Sequence, residues 1–199
     1  MARSIDSIIV GVRSIDKATD MWVKHFGLDI VAERNGEDSD LSKLWGLDDD
    51  QIEKQVLLTT PQVEVGRIHL VQFKNPLIPV RQYANATDLG PKNLDLKCLD
   101  LPKKYDELTD LGYSFRSKYV AYQIESIGAD VLEVQMPGHD YTNIIFVEQL
   151  GEKIKLSSKG YGGITSLVTI VSDLVEETDF FMDLFSLKEV VSEDLFGEH

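Results

Sequence analysis

The chain has 199 residues, of which 43% are hydrophobic and 27% charged, a balance that supports a packed globular core. Its 34 acidic residues outnumber 20 basic ones, and the formal net charge of −14 repels phosphate backbones and anionic membranes, which excludes nucleic acid and membrane as partners. A single cysteine, Cys98, excludes an intrachain disulfide; the start Met1–Asp6 lacks a signal peptide's apolar run, and no stretch reaches the roughly 18 apolar residues of a membrane span, so a cytoplasmic protein is expected.

Along the chain, Ile8, Val10 and Val12 alternate with Ser7, Ile9 and Gly11, the period-two pattern of a strand. Ser14 or Asp16 can cap a following helix from about Lys17 to Phe26, with Ala18, Met21, Trp22 and Phe26 as its apolar stripe. Gly27 ends that helix, and Leu28–Ala32 starts another strand. A polar insertion, Arg34 to Lys54, carries a short helix around Asp40–Leu47. Two antiparallel strands, Gln55–Thr60 and Arg67–Phe73, complete a β-α-β-β-β unit. A proline-containing connector, Asn75 to Pro91, follows.

The second unit opens with Leu94, Leu96 and Cys98 on one strand face and Asn93, Asp95 and Lys97 on the other. A helix over Lys103–Leu111 ends at Gly112. Strands are expected near Tyr113–Lys118, Tyr119–Ser126, Asp130–Met136 and Asn143–Glu148. The organisation expected is a pair of modules, about 5–75 and 91–150, then a linker over 151–163. The stretch Gly160–Gly163 reads as a hinge, since it lacks the strand–loop–helix context of a phosphate loop.

A repeat closes the chain. Residues 5–31 realign with 164–190, so that Ile5, Ser7, Thr19 and Asp20 match Ile164, Ser166, Thr178 and Asp179. Trp22, Phe26, Leu28 and Val31 likewise match Phe181, Phe185, Leu187 and Val190. The third copy, 162–199, reaches only β-α-β. Such a fragment leaves sheet edge and helix stripe uncovered, so it is expected either to belong to a longer four-module protein or to mediate homo-oligomer contacts.

The stretches Arg13-Ser14-Ile15-Asp16-Lys17-Ala18 and His25-Phe26-Gly27-Leu28 resemble the opening of a vicinal oxygen chelate module, as found in glyoxalases, bleomycin resistance proteins and extradiol dioxygenases. Gly163–Val190 resembles the same opening, and Asp130–Gln149 resembles a module's closing hairpin. The resemblance implies an α+β fold in which tandem βαβββ modules pair into a curved, cup-shaped mixed sheet with helices on its outer face. It also implies a substrate in the cup, usually beside a divalent metal held by the third residue of each first strand and by a glutamate on each last strand. Those positions fall on Ser7 and His69 in the first module, on Asn93 and Phe146 in the second (Glu148 if the last strand is displaced), and on Ser166 in the third copy. Serine, asparagine and phenylalanine do not build a divalent site, so no metal or other cofactor is expected.

The candidate catalytic residues are His69, Asp95 and Glu148; the candidate ligand-binding residues are Ser7, Asn93, Lys97, Tyr122 and Phe146. His69 is a general acid or base by its near-neutral ordinary pKa, or a hydrogen-bonded interior residue. Asn93, Asp95 and Lys97 share a polar strand face that either lines the cup or is the wet side of an antiparallel sheet. In the first version Lys97 binds an anionic group or pairs with Asp95. Glu148 is a catalytic carboxylate or a solvated strand end. Tyr122 and Phe146, with Tyr119, line an aromatic wall or fill core. His139, in the turn Pro137–Asp140, is expected at the surface, and His25 and His199 have no assigned role. The pattern specifies fold more closely than reaction. The leading reading is a small-molecule-binding protein with a degenerate, metal-free cup, alone or as the non-catalytic half of a larger enzyme. The rival is a divalent-metal-dependent lyase or dioxygenase using His69, Glu148 and His139.

Overall fold

The computed structural model describes residues 6–48 and 51–189. Ile5, His199 and the third copy beyond Glu189 lie outside the described residues. The architecture is α+β, with two mixed sheets and no closed barrel.

Strand β1 (Ser7–Val12) leads into helix α1 (Ile15–Thr19), where the Ser14 hydroxyl accepts from the Lys17 amide at 3.3 Å. The helix continues without a break as a π-helical stretch, Asp20–His25, and Gly27 at φ +72° ends it. Next come β2 (Asp29–Asn35), the short α2 (Ser39–Trp45), β3 (Ile52–Thr59) and β4 (Arg67–Phe73). They form a four-stranded sheet of order β1-β4-β3-β2, in which β1 runs parallel to β4 and the other pairs are antiparallel.

The second unit repeats the plan with β5 (Gly90–Cys98), α3 (Leu101–Asp110), β6 (Val120–Ile124), β7 (Ala129–Pro137) and β8 (Asn143–Gln149). Strand β9 (Tyr161–Ile170) adds to the free edge of β5, giving the order β6-β7-β8-β5-β9, and α4 (Leu174–Phe185) follows it.

One core joins the two sheets. Strand alternation turns Val56, Leu58, Ile68 and Leu70 of the first sheet and Leu94, Leu96, Val134, Met136, Ile144 and Phe146 of the second toward the helices. The stripe Ile15, Ala18, Met21, Trp22 and Phe26 is buried there. Phe26 meets Trp22 and Phe146 edge-on, at centroid distances of 5.3 and 5.5 Å, and lies 4.7 Å from Tyr161.

Two local differences from the sequence expectation have physical causes. No strand forms over Tyr113–Lys118: Tyr113 and Phe115 alternate as a strand would, but both pack on the core, and Phe115 stacks on Tyr105 of α3 at 4.4 Å. The stretch read as a hinge is firmly held. Tyr161 is 2% exposed, the Thr60 hydroxyl donates to the Gly162 carbonyl at 2.6 Å, and the Ser157 hydroxyl donates to the Phe26 carbonyl at 2.6 Å. Gly66, at φ +66°, makes the close approach there, because a Cβ on it would collide with the Ile164 carbonyl. Helix α4 of the third copy buries none of its residues, whereas the matching Trp22 and Phe26 are both 0% exposed. The first copy's stripe meets two sheets at once, and α4 has no such pair around it among the described residues. No helix among the described residues is long and apolar enough to cross a membrane.

Candidate functional site

Strand register relates the four positions that the resemblance singled out, Ser7, His69, Asn93 and Phe146. On β1 and β4, Ser7 lies opposite Arg67 and Ile9 opposite His69. On β5 and β8, Asn93 lies opposite Asn143 and Asp95 opposite Ile145. The same two-residue step that leads from Ser7 to His69 therefore leads from Asn93 to Ile145, and Phe146 is one residue out of phase. A one-residue slip turns a side chain to the opposite face. Phe146 accordingly lies in the core at 1% exposure rather than on a pocket wall.

Glu148 shares that core-side phase and is neither solvated nor turned to the polar face. Its two carboxylate oxygens accept from the backbone amides of Asp100 (2.9 Å) and Leu101 (2.7 Å) at the start of α3. Asp100 sits at φ +59° and its own side chain makes no capping bond, so Glu148 supplies the cap from another strand. Glu148→Ala should lower stability by about 2 kcal/mol in urea titration, because two amides lose a charged acceptor in a buried place. An unchanged midpoint would contradict the capping role.

Ser7, His69, Asn93 and Ile145 offer one imidazole, a hydroxyl, an amide and a hydrocarbon. This set does not fit a divalent cation, which needs several imidazole, thiolate or carboxylate donors. Among the described residues no three His, Cys, Asp or Glu side chains converge elsewhere.

Around His69 the first sheet builds a hydrogen-bonded line. Its Nε2 is 2.9 Å from Gln55 Oε1, the Gln55 amide donates to Asp38 at 2.9 Å, and Arg34 pairs with Asp38 at 2.9 Å. Since the Gln55 nitrogen serves Asp38, its oxygen accepts, and this assigns the His69 proton to Nε2. Burial holds the His69 pKa below its ordinary value, opposed by the charge of Asp38. The Gln55 and Leu41 donors hold Asp38 below the usual carboxylate range.

The polar face of β5 forms as the alternation predicts, but its members have other partners. Asp95 accepts from the Ser166 hydroxyl at 2.5 Å, and its second oxygen is buried without a partner. Burial raises its pKa, and Glu133 adds to the rise while the Ser166 bond opposes it. Lys97 pairs with Glu152 rather than with Asp95. The Asn143 amide donates to Asn93 and its oxygen accepts from Arg116 Nε at 3.0 Å. Tyr122 is 42% exposed and donates to Glu133 at 2.8 Å. Among the described residues no hydrogen bond or ion pair connects His69 to Asp95.

His139 is not at the surface. Its side chain is 10% exposed, and its Nε2 accepts from Trp22 Nε1 at 2.8 Å, which leaves the proton on Nδ1. Burial pushes its pKa down to about 4, against the opposing charge of Asp140.

Three hollows lie along the seam where the connector Asn75–Pro91 meets β1 and the second sheet, and another of about 260 Å³, lined by Lys97, Glu152 and Lys155, lies beside β9. A chamber of about 630 Å³ has walls from Ile9, Val12 and Phe73 and from the connector residues Leu77, Ile78 and Val80. Arg81 stands at its border and also lines a pocket of about 180 Å³ with Lys92, Arg116, Gln135 and Asn143. A third hollow of about 200 Å³ runs past Ile8, Asn93 and Leu94 and again includes Arg81, Lys92 and Asn143. Of the expected site residues, Asn93 belongs to this seam, and His69 and Asp95 stand outside its walls. Sequence reading missed Arg81, Lys92, Arg116 and Asn143, which are far apart along the chain. The one visible signal was an apolar Leu77, Ile78 and Val80 between prolines in a connector, where no strand or helix calls for them.

No family model matches the sequence, and no curated protein matches it. Solved structures do resemble it. A glyoxalase family protein from Bacillus cereus is 22% identical with a TM-score of 0.63, over 74% of this chain and 95% of that one. A putative dioxygenase from Bacillus subtilis is 12% identical with a TM-score of 0.61, over 97% of this chain and 58% of that one. A glyoxalase I mutant from Zea mays is 12% identical with a TM-score of 0.58, over 93% of this chain and 56% of that one. The chain thus spans just over half the length of the latter two proteins. At these identities the likeness establishes the fold and leaves the reaction open.

Proposed function

We propose that this chain, which has the fold of the vicinal oxygen chelate superfamily, is a small-molecule-binding protein whose cup works without the family's metal, alone or as the non-catalytic half of a larger enzyme. The observation that supports this reading is the strand register, in which Ser7 and His69 on β1 and β4 correspond to Asn93 and Ile145 on β5 and β8. A single imidazole among them is too little to hold a divalent ion. In this reading His69 and Asp95 are separate polar groups on the faces of two sheets, and of the expected ligand-binding residues Asn93 borders the seam. The exposed apolar face of α4 supports self-association through the third partial module. A chain with one, buried cysteine suits the cytoplasm.

The test is metal analysis of the purified chain, followed by thermal-shift titration with Ni²⁺, Mn²⁺, Fe²⁺ and Zn²⁺. Substoichiometric metal and no stabilisation that depends on His69 are expected. One equivalent of bound ion, with the logarithmic rise in stability of a specific ligand and its loss in His69→Ala, would overturn the metal-free reading in favour of a metal-dependent lyase or dioxygenase.

A further inference from the structure

We infer that the seam where the connector Asn75–Pro91 meets β1 and the second sheet is a binding site for an oxyanion carrying an apolar body, a carboxylate or a phosphoryl group on a hydrocarbon chain or ring. The inference deepens the small-molecule reading above and rests on it.

Arg81, Lys92 and Arg116 all line the pocket of about 180 Å³, and no carboxylate is among its lining residues. This is a notable concentration in a chain with 34 acidic residues and 20 basic ones. None of the three cations has a carboxylate partner among the described residues. Arg81 reaches the carbonyls of Pro91 and Asn85 at 3.5 and 3.4 Å, Lys92 the carbonyl of Ala86 at 2.9 Å, and Arg116 the Asn143 side chain at 3.0 Å. Neutral oxygens of this kind orient a cation without cancelling its charge. Three like charges on one small concavity raise its potential, and that potential draws an anion of the complementary size. Guanidinium groups accept carboxylate and phosphoryl oxygens two at a time, and the Lys92 ammonium keeps two further donors. Arg13, the fourth cation of the seam, is paired with Asp140 and takes no part.

The chamber of about 630 Å³ beyond Arg81 supplies the other half of the ligand. Leu77 and Val80 on its border are 87% and 94% exposed. Apolar side chains so placed gain from any hydrocarbon that covers them. Since Arg81 lines both spaces, a head group at the three cations would direct its body into the chamber. The volume suits a ligand of drug-like size.

The experiment titrates the full chain, by calorimetry at fixed ionic strength, with hexanoate, hexyl phosphate, inorganic phosphate and 1-hexanol. At least one hexyl anion should bind about tenfold or more tighter than hexanol, as charge-assisted bonds to two or three cations require. The tighter of the two identifies the head group as carboxylate or phosphoryl. The double variant Arg81→Gln/Lys92→Gln should lose about that factor for the anion and leave hexanol unchanged, while Arg81→Lys/Lys92→Arg keeps most of it. Three results overturn the inference: hexanol binding as tightly as the anions, the charge-removing variant retaining full affinity, or no probe binding. Inorganic phosphate binding as tightly as hexyl phosphate would remove the apolar body from it. All of these are independent of metal and of His69, so the inference can fail while the metal-free reading stands.

Discussion

Phe146→Ala should destabilise the chain by about 4 kcal/mol, the largest effect expected of any substitution among the candidate site residues. Phe146 is 1% exposed and sits where the two modules meet, with ring centroids 5.5 Å from Phe26, 5.7 Å from Tyr161 and 6.3 Å from Phe115. Truncation removes the ring's transfer free energy and leaves a cavity between groups that already occupy their places. Phe146→Leu should cost much less because it refills most of the volume. Urea unfolding with matched slopes measures both. A ligand-wall residue would behave in the opposite way, with little change in midpoint and a large change in affinity, and that outcome would refute the core assignment.

Acid should weaken the fold by about 3 kcal/mol through His139 alone as pH falls from about 6.5 to about 4. Its imidazole is buried in the neutral form, accepting from Trp22 on Nε2 and facing Asp140 on the other side. Protonation would remove the acceptor and place a charge beside a fully buried indole. The folded pKa is depressed, so the unfolded chain takes up the proton first as pH drops. The stabilisation is complete above the unfolded value and is gone below the folded one. His139→Gln keeps an acceptor for Trp22 but does not titrate. It should lose this part of the pH dependence while His69, whose pKa is also lowered, retains its own. Denaturant midpoints at pH 7, 5.5 and 4.5 compare the two proteins. Parallel curves would show that His139 is not the titrating group.

These two residues also show where one-dimensional reading stops. His139 lies in a turn, and turn residues are ordinarily exposed. What buries it is Trp22, more than a hundred positions away, which needs an acceptor for its indole N–H. Phe146 and Ile145 differ by one place in an unbroken apolar run, Ile144-Ile145-Phe146-Val147, where alternation carries no polar mark to set the phase. Only the pairing of β8 with β5 decides which of them faces the helices. Lys97 was legible as a polar-face residue but not as the partner of Glu152, because Glu152 belongs to a loop with no periodicity.

The amino-acid sequence alone determined the repeated βαβββ plan, the strand faces of β1 and β5, the buried stripe from Ala18 to Phe26 and the chemically poor donors Ser7 and Asn93. These depend on local period and residue chemistry, which any stretch carries with it. Tertiary structure alone decided the phase of β8, the capping duty of Glu148, the docking of β9 beside β5 and the assembly of Arg81, Lys92 and Arg116 around one pocket. Those features join residues from separate elements, and their energies arise only when sheet pairing and core packing bring the chain's distant parts within a few ångströms of each other.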